Sequence, residues 1–549
     1  MQILTRRGFV KALGLTSLAA LSGAALSGCS NGQSGQAASS SDHESKVIVA
    51  MSPSSEPAAG FDPCISWGCG EHVHEPLIQS TLITTNTDLE FVNDLATEYS
   101  CSDDGMTWTF KIRDDVKFTD GEPLTAKDVA FTINTINSSK KSEADLSSVK
   151  KAVAVDDTTV ELQMAKPNNA LLYTLAVLGI VPEHAYGTNY GAAPIGSGRY
   201  KLSQWDQGQQ VIFEANSDYY GGEVGMQQVV VVFMEEDAAL AACQAGEIDI
   251  AYTSATMVDS VPEGYELLDC KSVDSRGISF PTSASGKSPK REGMDGAEHP
   301  VGNDVTCDIA IRRAINYAVD RDKMIEHVLN GYGTAAYSVG DGLPWSSDDM
   351  RVDYNVEQAK QLLDEAGWKA GKDGILAKDD TKASFELLYA AGDSTRQALA
   401  YEFSNQMAEI GIEVKVKGGD WDTDLYPHQF DTPILWGWGS NSPVELYELN
   451  YSKGWGNVAA YDSKTVDEHL DAALKKTKIE DSYDEYKLAQ WDEQAGDGVA
   501  PKGECTWVWL ANVDHLYFQR NGLDVAQQKP HPHGHGWSLV NNVDTWKWE

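Results

Sequence analysis

Apolar residues recur along this chain with two periods. Residues 46–51 read Lys-Val-Ile-Val-Ala-Met, a short apolar strand. Residues 107–112 alternate as Thr-Trp-Thr-Phe-Lys-Ile, and residues 159–164 alternate again, the period of half-buried strands. Between them Thr125 opens Thr-Ala-Lys-Asp ahead of Val129, Phe131, Ile133 and Ile136. That spacing predicts an N-capped helix with Asp128 at the third helical position, a capping-box start. Residues 229–233 are continuously apolar, as in a strand buried on both faces. A helical stretch at 237–245 and a strand at 248–252 then complete a parallel crossover unit. A second unit runs through 385–389, 394–410 and 412–416. Two α/β lobes are predicted, separated by the polar stretch 283–304.

Length agrees with more than one core, since 549 residues exceed an ordinary single domain. An apolar share of 42% supplies enough material to bury, so the chain is globular rather than disordered. Charge narrows the partners. Lys and Arg number 43 against 82 Asp and Glu, a net −39. Such a surface repels phosphate backbones and anionic headgroups, which excludes nucleic acid; its plain consequence is solubility.

The N-terminus carries a processing signal. Thr5-Arg6-Arg7-Gly8-Phe9-Val10-Lys11 precedes a mainly apolar stretch, 12–26, of signal-peptide length and too short to span a bilayer comfortably. The paired arginines resemble a twin-arginine export signal, although an ordinary secretion signal can contain them too. Leu26-Ser27-Gly28-Cys29 resembles the lipobox of bacterial lipoproteins, in which Cys29 is lipidated and becomes residue one. Residues 30–41 are rich in Ser, Gly, Gln and Ala and read as a flexible tether. Cys64, Cys69, Cys101, Cys243, Cys270, Cys307 and Cys505 remain. Disulfides are permitted outside the cytoplasm, and the odd count leaves at least one thiol free or paired between chains. Cys64 and Cys69 are close enough in sequence to bridge, without spacing alone establishing it. No paired Cys-x-x-Cys spacing suggests tetrahedral zinc.

Four segments, in order, carry a resemblance. They are Phe110-Lys-Ile-Arg-Asp-Asp-Val-Lys-Phe-Thr-Asp-Gly-Glu-Pro-Leu-Thr-Ala-Lys-Asp-Val-Ala-Phe131; Pro194-Ile-Gly-Ser-Gly-Arg-Tyr-Lys-Leu202 followed by Asn216-Ser-Asp-Tyr-Tyr-Gly-Gly222; Ile311-Arg-Arg-Ala-Ile-Asn-Tyr-Ala-Val-Asp-Arg321 continuing to Gly331-Tyr332; and Tyr354-Asn-Val-Glu-Gln-Ala-Lys-Gln-Leu-Leu-Asp-Glu-Ala-Gly-Trp368. As a set they are similar to the family 5 solute-binding proteins, the peptide- and nickel-binding components of ABC importers. Much of this signature also has a local reading. Asp120-Gly121 suits a turn, Gly196 and Gly198 suit positive φ or close backbone approach, and Asp320-Arg321 suits a surface ion pair of little worth.

The resemblance implies an α/β, two-lobed periplasmic-binding-protein-like fold of type II, with an extra inserted subdomain, around a hinged ligand cleft. On that reading residues 1–28 are the signal peptide and 29–45 the tether. Residues 46–275 form lobe I with an insertion at about 93–178, 276–494 form lobe II, and 495–549 return to lobe I. It further implies a non-enzymatic monomer without a cofactor, lipid-anchored through Cys29 on the outer face of the cytoplasmic membrane or in the periplasm. It would hand a small-molecule or short-peptide cargo to ABC permease subunits and their ATPases.

Two segments are candidates for holding cargo. One is the loop 60–74, containing Trp67, Gly68 and His72, which in the family meets the cleft. The other is Ile434-Leu-Trp-Gly-Trp-Gly-Ser-Asn-Ser442. Trp436 and Trp438 are two apart, so on a strand they share a face, serving either cargo contact or core packing. Peptide binders of the family commonly carry an Asp shortly after the corresponding Gly-Trp, where it pairs with the peptide amine. Asn441 lies there instead, an acceptor without the charge. His72 and His74, with His531, His533 and His535, supply imidazoles suited to nickel, copper or zinc, so a transition-metal chelate is the alternative cargo; a solvated His-rich loop is the plainer reading. No His-Glu-x-x-His or Gly-x-x-x-x-Gly-Lys motif occurs, and the Gly-x-Ser-x-Gly match, Gly28-Cys29-Ser30-Asn31-Gly32, falls on the lipobox and tether, not on a strand-to-helix turn. An exported hydrolase using unrecognised carboxylates, or a sensory lipoprotein on the same scaffold, would be the reading from another class.

Overall fold

In the computed structural model, residues 45–57, 59–65, 77–142, 144–527, 529–532 and 539–549 are described. Each strong apolar pattern becomes the expected element. Lys46–Met51, Thr107–Ile112 and Thr159–Met164 are strands. Ala126–Ser138 is a helix capped by Thr125, and Asp128 returns its carboxylate to the Thr125 backbone N–H at 2.9 Å. Gln228–Phe233, the helix Glu236–Gln244 and Ile250–Thr253 form the first crossover unit; both strands run parallel to Lys46–Met51, which lies between them. In the second unit, Ser384–Ala390 pairs in parallel with Glu413–Gly419 across the helix Ser394–Glu409.

Two large sheets define two lobes. One has seven strands, in the order Tyr265–Cys270, His515–Arg520, Ile250–Thr253, Lys46–Met51, Gln228–Phe233, Gln210–Ala215 and Tyr200–Asp206. The other has six, in the order Gly333–Ala335, Trp507–Val513, Ser275–Ser279, Ile434–Trp438, Ser384–Ala390 and Glu413–Gly419. A separate four-stranded antiparallel sheet, Ala96–Cys101, Thr107–Ile112, Thr159–Met164 and Val149–Ala154, packs with the Ala126–Ser138 helix around its own core. Gly196 and Gly198 serve close approach: a Cβ on either would lie 2.0 and 2.4 Å from the carbonyl oxygens of Ile78 and Leu77.

The chain crosses between the large sheets at residues 271–274 and again at Asp514. Trp507–Val513 still belongs to the six-stranded sheet, so the return falls later than position 495. The polar stretch 283–304 is not the separator. It follows the Ser275–Ser279 strand and carries a short hairpin, Arg291–Glu292 with Glu298–His299. The two crossings are tied side by side. Ser272 Oγ donates to the Val513 carbonyl at 2.7 Å, the Val513 N–H donates to the Asp274 carbonyl at 2.9 Å, and Lys271 bridges Asp269 and Asp514.

Asp320 and Arg321 are not the surface pair that their adjacency suggests. Asp320 caps the helix Arg321–His327. Arg321 is buried, with Nε donating to the carbonyls of Ala336 and Trp509 at 2.9 and 2.8 Å and its guanidinium 4.5 Å over the Tyr337 ring. Burial, with no carboxylate in hydrogen-bond contact among the described residues, lowers its pKa to about 10.

Candidate functional site

Open α/β sheets bind ligands beyond the C-terminal ends of their parallel strands. In the six-stranded sheet that edge is formed where Ser384–Ala390 and Ile434–Trp438 end. It lies beside the 271–274 crossing, because Ser275 pairs with Trp438 and donates its hydroxyl to the Trp438 carbonyl at 2.7 Å. The edge is therefore next to the link between the lobes.

Alternation along Ile434–Trp438 divides its side chains. Leu435 packs into the core beneath the helix Ser394–Glu409, whereas Trp436 and Trp438 join a different apolar cluster on the opposite face. There the indoles form a row. Trp421 lies 5.4 Å from Trp436, Trp436 lies 5.9 Å from Trp438, and Trp438 lies 5.5 Å from Trp455. Trp507 and Trp509 stack at 4.8 Å two strands away, across Ser275–Ser279, and Gly277 on that intervening strand makes room for them, since a Cβ there would come within 2.5 Å of the Trp509 ring. Trp436 is a supporting residue, with its Nε1–H held by Ser279 Oγ at 3.0 Å. Trp438 differs. Its Nε1 is buried and has no acceptor among the described residues.

Glycines position the edge. Gly437 lies under two guanidinium groups: a Cβ would meet Arg396 Nη2 at 2.2 Å and Arg276 Nη1 at 2.9 Å. Each arginine has its own carboxylate, Asp274 for Arg276 and Asp393 for Arg396. Gly439 has φ +140°, and a Cβ would lie 1.9 Å from the Val273 carbonyl oxygen, so the strand end presses against the crossing. Its N–H donates to the buried Glu445 carboxyl at 2.7 Å.

Burial raises the Glu445 pKa from 4.5 to about 7, against the lowering effect of that hydrogen bond. A carboxyl raised in the folded chain keeps a proton that the unfolded chain has already released. Its contribution is therefore complete below the ordinary value and is lost as pH rises from about 4.5 toward 7. Across that window the unfolding midpoint should fall more steeply for the wild type than for Glu445→Gln. Equal pH slopes in parallel urea titrations would show that Glu445 ionises normally.

Asn441 Nδ2 donates to the His531 carbonyl at 2.8 Å, which ties the strand-end loop to the C-terminal segment. The His531 side chain is buried; burial first, then Lys529, lowers its pKa to about 3 and keeps it neutral. Lys529 donates to Thr84 Oγ1, and burial lowers its amine to about 8. Trp436, Trp438, Asn441 and His531 are thus brought to one region. Cys29, Trp67, Gly68, His72, His74, His533 and His535 lie outside the described residues. Among the described residues no three His, Cys, Asp or Glu side chains are grouped to hold a metal ion, and no helix is long and apolar enough to cross a membrane.

Sequence reasoning missed Trp421, Trp455 and Glu445. One signal was present for Trp455: Gly454-Trp455-Gly456 repeats the triplet Gly437-Trp438-Gly439. Trp421 offered no such signal, because its place in the row depends on how a following loop folds back.

Comparison with known proteins agrees with this architecture. Residues 90–459 match the family model described as bacterial extracellular solute-binding proteins, family 5 middle. Protein XP55 of Streptomyces lividans is 32% identical over 460 residues, covering 79% of each chain. The oligopeptide-binding protein AppA of Bacillus subtilis is 29% identical over 487 residues, 83% of this chain and 84% of the relative. The crystal structure of NikZ from Campylobacter jejuni in complex with Ni(L-His) superposes with a TM-score of 0.76 at 24% identity, covering 92% of this chain and 99% of NikZ, a likeness of fold. The chain belongs to family 5 of the bacterial extracellular solute-binding proteins.

Proposed function

We propose that this protein is the extracytoplasmic solute-binding component of an ABC importer, capturing a short peptide or peptide-like small molecule between its lobes and passing it to the permease. One observation carries the reading. An aromatic face at the strand ends, beside the link between the lobes, presents Trp438 with a buried N–H that has no acceptor among the described residues. A buried donor without a partner is costly, and a cargo carbonyl would satisfy it. Such groups are plentiful on a peptide.

A second reading is supported by Asn441. The position lacks the carboxylate that would pair with a peptide amine, and one of its two amide N–H groups holds the side chain to the His531 carbonyl. A transition-metal chelate needs no amine partner. The B. subtilis relative is an oligopeptide-binding protein and the NikZ structure holds Ni(L-His), so both cargo classes occur among similar proteins.

Calorimetry with a short-peptide pool and with nickel plus free histidine separates the two. Heat from the peptide pool supports the first reading; heat from the chelate alone overturns it. Trp438→Phe keeps a ring but removes the donor, so peptide affinity should fall by about 1 kcal/mol, the usual net value of a hydrogen bond. Unchanged affinity would place Trp438 in the scaffold instead.

The anchor follows from Cys29. Lipid chains supply the attachment, so Cys29→Ala should move the protein from the membrane fraction to the soluble exported fraction. Retention on membranes after a salt wash would show a different anchor.

A further inference from the structure

Trp455 is a large apolar side chain left 56% exposed at the end of an otherwise mostly buried row of indoles. It is not loosely held. The Trp455 backbone N–H donates to Glu448 Oε2 at 3.3 Å, and the adjacent turn closes through Gly454 N–H to the Tyr451 carbonyl at 2.8 Å. Gly454 lets this turn press on the preceding helix, since a Cβ would lie 2.0 Å from the Glu448 carbonyl oxygen. The ring is thus presented by a fixed loop beside Trp438, at the strand end. Leu446, Tyr447 and Leu449, just before this turn, pack in one apolar cluster with Ala170 and Tyr173, which follow the Thr159–Met164 strand of the four-stranded sheet. The loop therefore borders the seam between that subdomain and the six-stranded lobe.

We propose that Trp455 is a specificity residue, stacking against a planar apolar group on the cargo while the seam closes over that group. The inference rests on the peptide reading above and names its class: peptides or peptide-like molecules with an aromatic side chain. The exposed indole face, continuous with Trp438, offers a stacking partner that aliphatic cargo would use less fully.

The test uses the full chain and two peptide pools matched in length and charge, one with Phe, Tyr or Trp at one position and the other with Ala there. Calorimetry and native mass spectrometry should show the wild type favouring the aromatic pool by about tenfold, within the range of aromatic pairing plus burial. Trp455→Ala should lose the preference yet still bind the Ala pool, and Trp455→Phe should restore most of it. The unfolding midpoint of Trp455→Ala should stay near that of the wild type, because the ring is exposed. Equal preference in wild type and Trp455→Ala, or no preference in the wild type, overturns this inference alone. Failure of both pools to bind the wild type overturns the peptide reading and this one with it.

Discussion

Arg312→Leu is expected to lower the free energy of unfolding by about 3–5 kcal/mol, the range for removing one member of a buried charged network. Arg312 is fully buried. Its Nη1 donates to the carbonyls of Thr306 and Cys307 at 2.6 and 3.0 Å, and Nε and Nη2 donate to the Glu504 carbonyl at 3.1 and 2.8 Å. Nη2 also meets the Glu504 carboxylate. One side chain thus joins the start of the Ile309–Ala318 helix to the segment leading into Trp507–Val513. Leucine fills part of the volume but leaves those acceptors without donors. The urea midpoint should fall well beyond experimental error while the folded fraction keeps its cargo affinity, because Arg312 lies away from the strand ends. An unshifted midpoint would mean that water or a rearranged neighbour replaces the guanidinium.

Trp436→Ala should have an effect of similar size on stability and an additional one on binding. Trp436 is 3% exposed, lies between Trp421 and Trp438, and has its N–H bonded to Ser279. Removing so large a buried ring costs about 3–5 kcal/mol, from lost contacts and the cavity left behind. It also removes the surface against which Trp438 is set, so cargo affinity should fall as well. The pairing of effects distinguishes support from contact: Trp438→Phe acts mainly on affinity, Trp436→Ala on both. A Trp436→Ala protein of near-normal urea midpoint would show that the row can collapse around the gap.

Local order was legible in the chain because its causes are local. The Thr125–Asp128 capping box needs only residues three apart, and the alternation at Thr107–Ile112 fixes two faces wherever the strand is placed. The parallel crossover at Ser384–Ala390, Ser394–Glu409 and Glu413–Gly419 follows from strand, helix and strand lengths. The same holds for the shared face of Trp436 and Trp438. The family signature likewise consists of short contiguous segments.

Tertiary structure decided what depends on residues far apart in sequence. Nothing local places His515–Arg520 between Tyr265–Cys270 and Ile250–Thr253, or keeps Trp507–Val513 in the other sheet. Adjacency suggested an ion pair for Asp320 and Arg321, yet folding turned one into a helix cap and buried the other against backbone carbonyls supplied from residues 336 and 509. Asn441 could be named as a departure at the strand end, but its partner, the His531 carbonyl, comes from another part of the chain. The row from Trp421 through Trp436 and Trp438 to Trp455 is of the same kind. Strand pleating places its middle pair on one face, whereas its ends are brought in by the short helical turn Trp421–Leu425 and by the loop carrying Trp455, whose paths are set by packing.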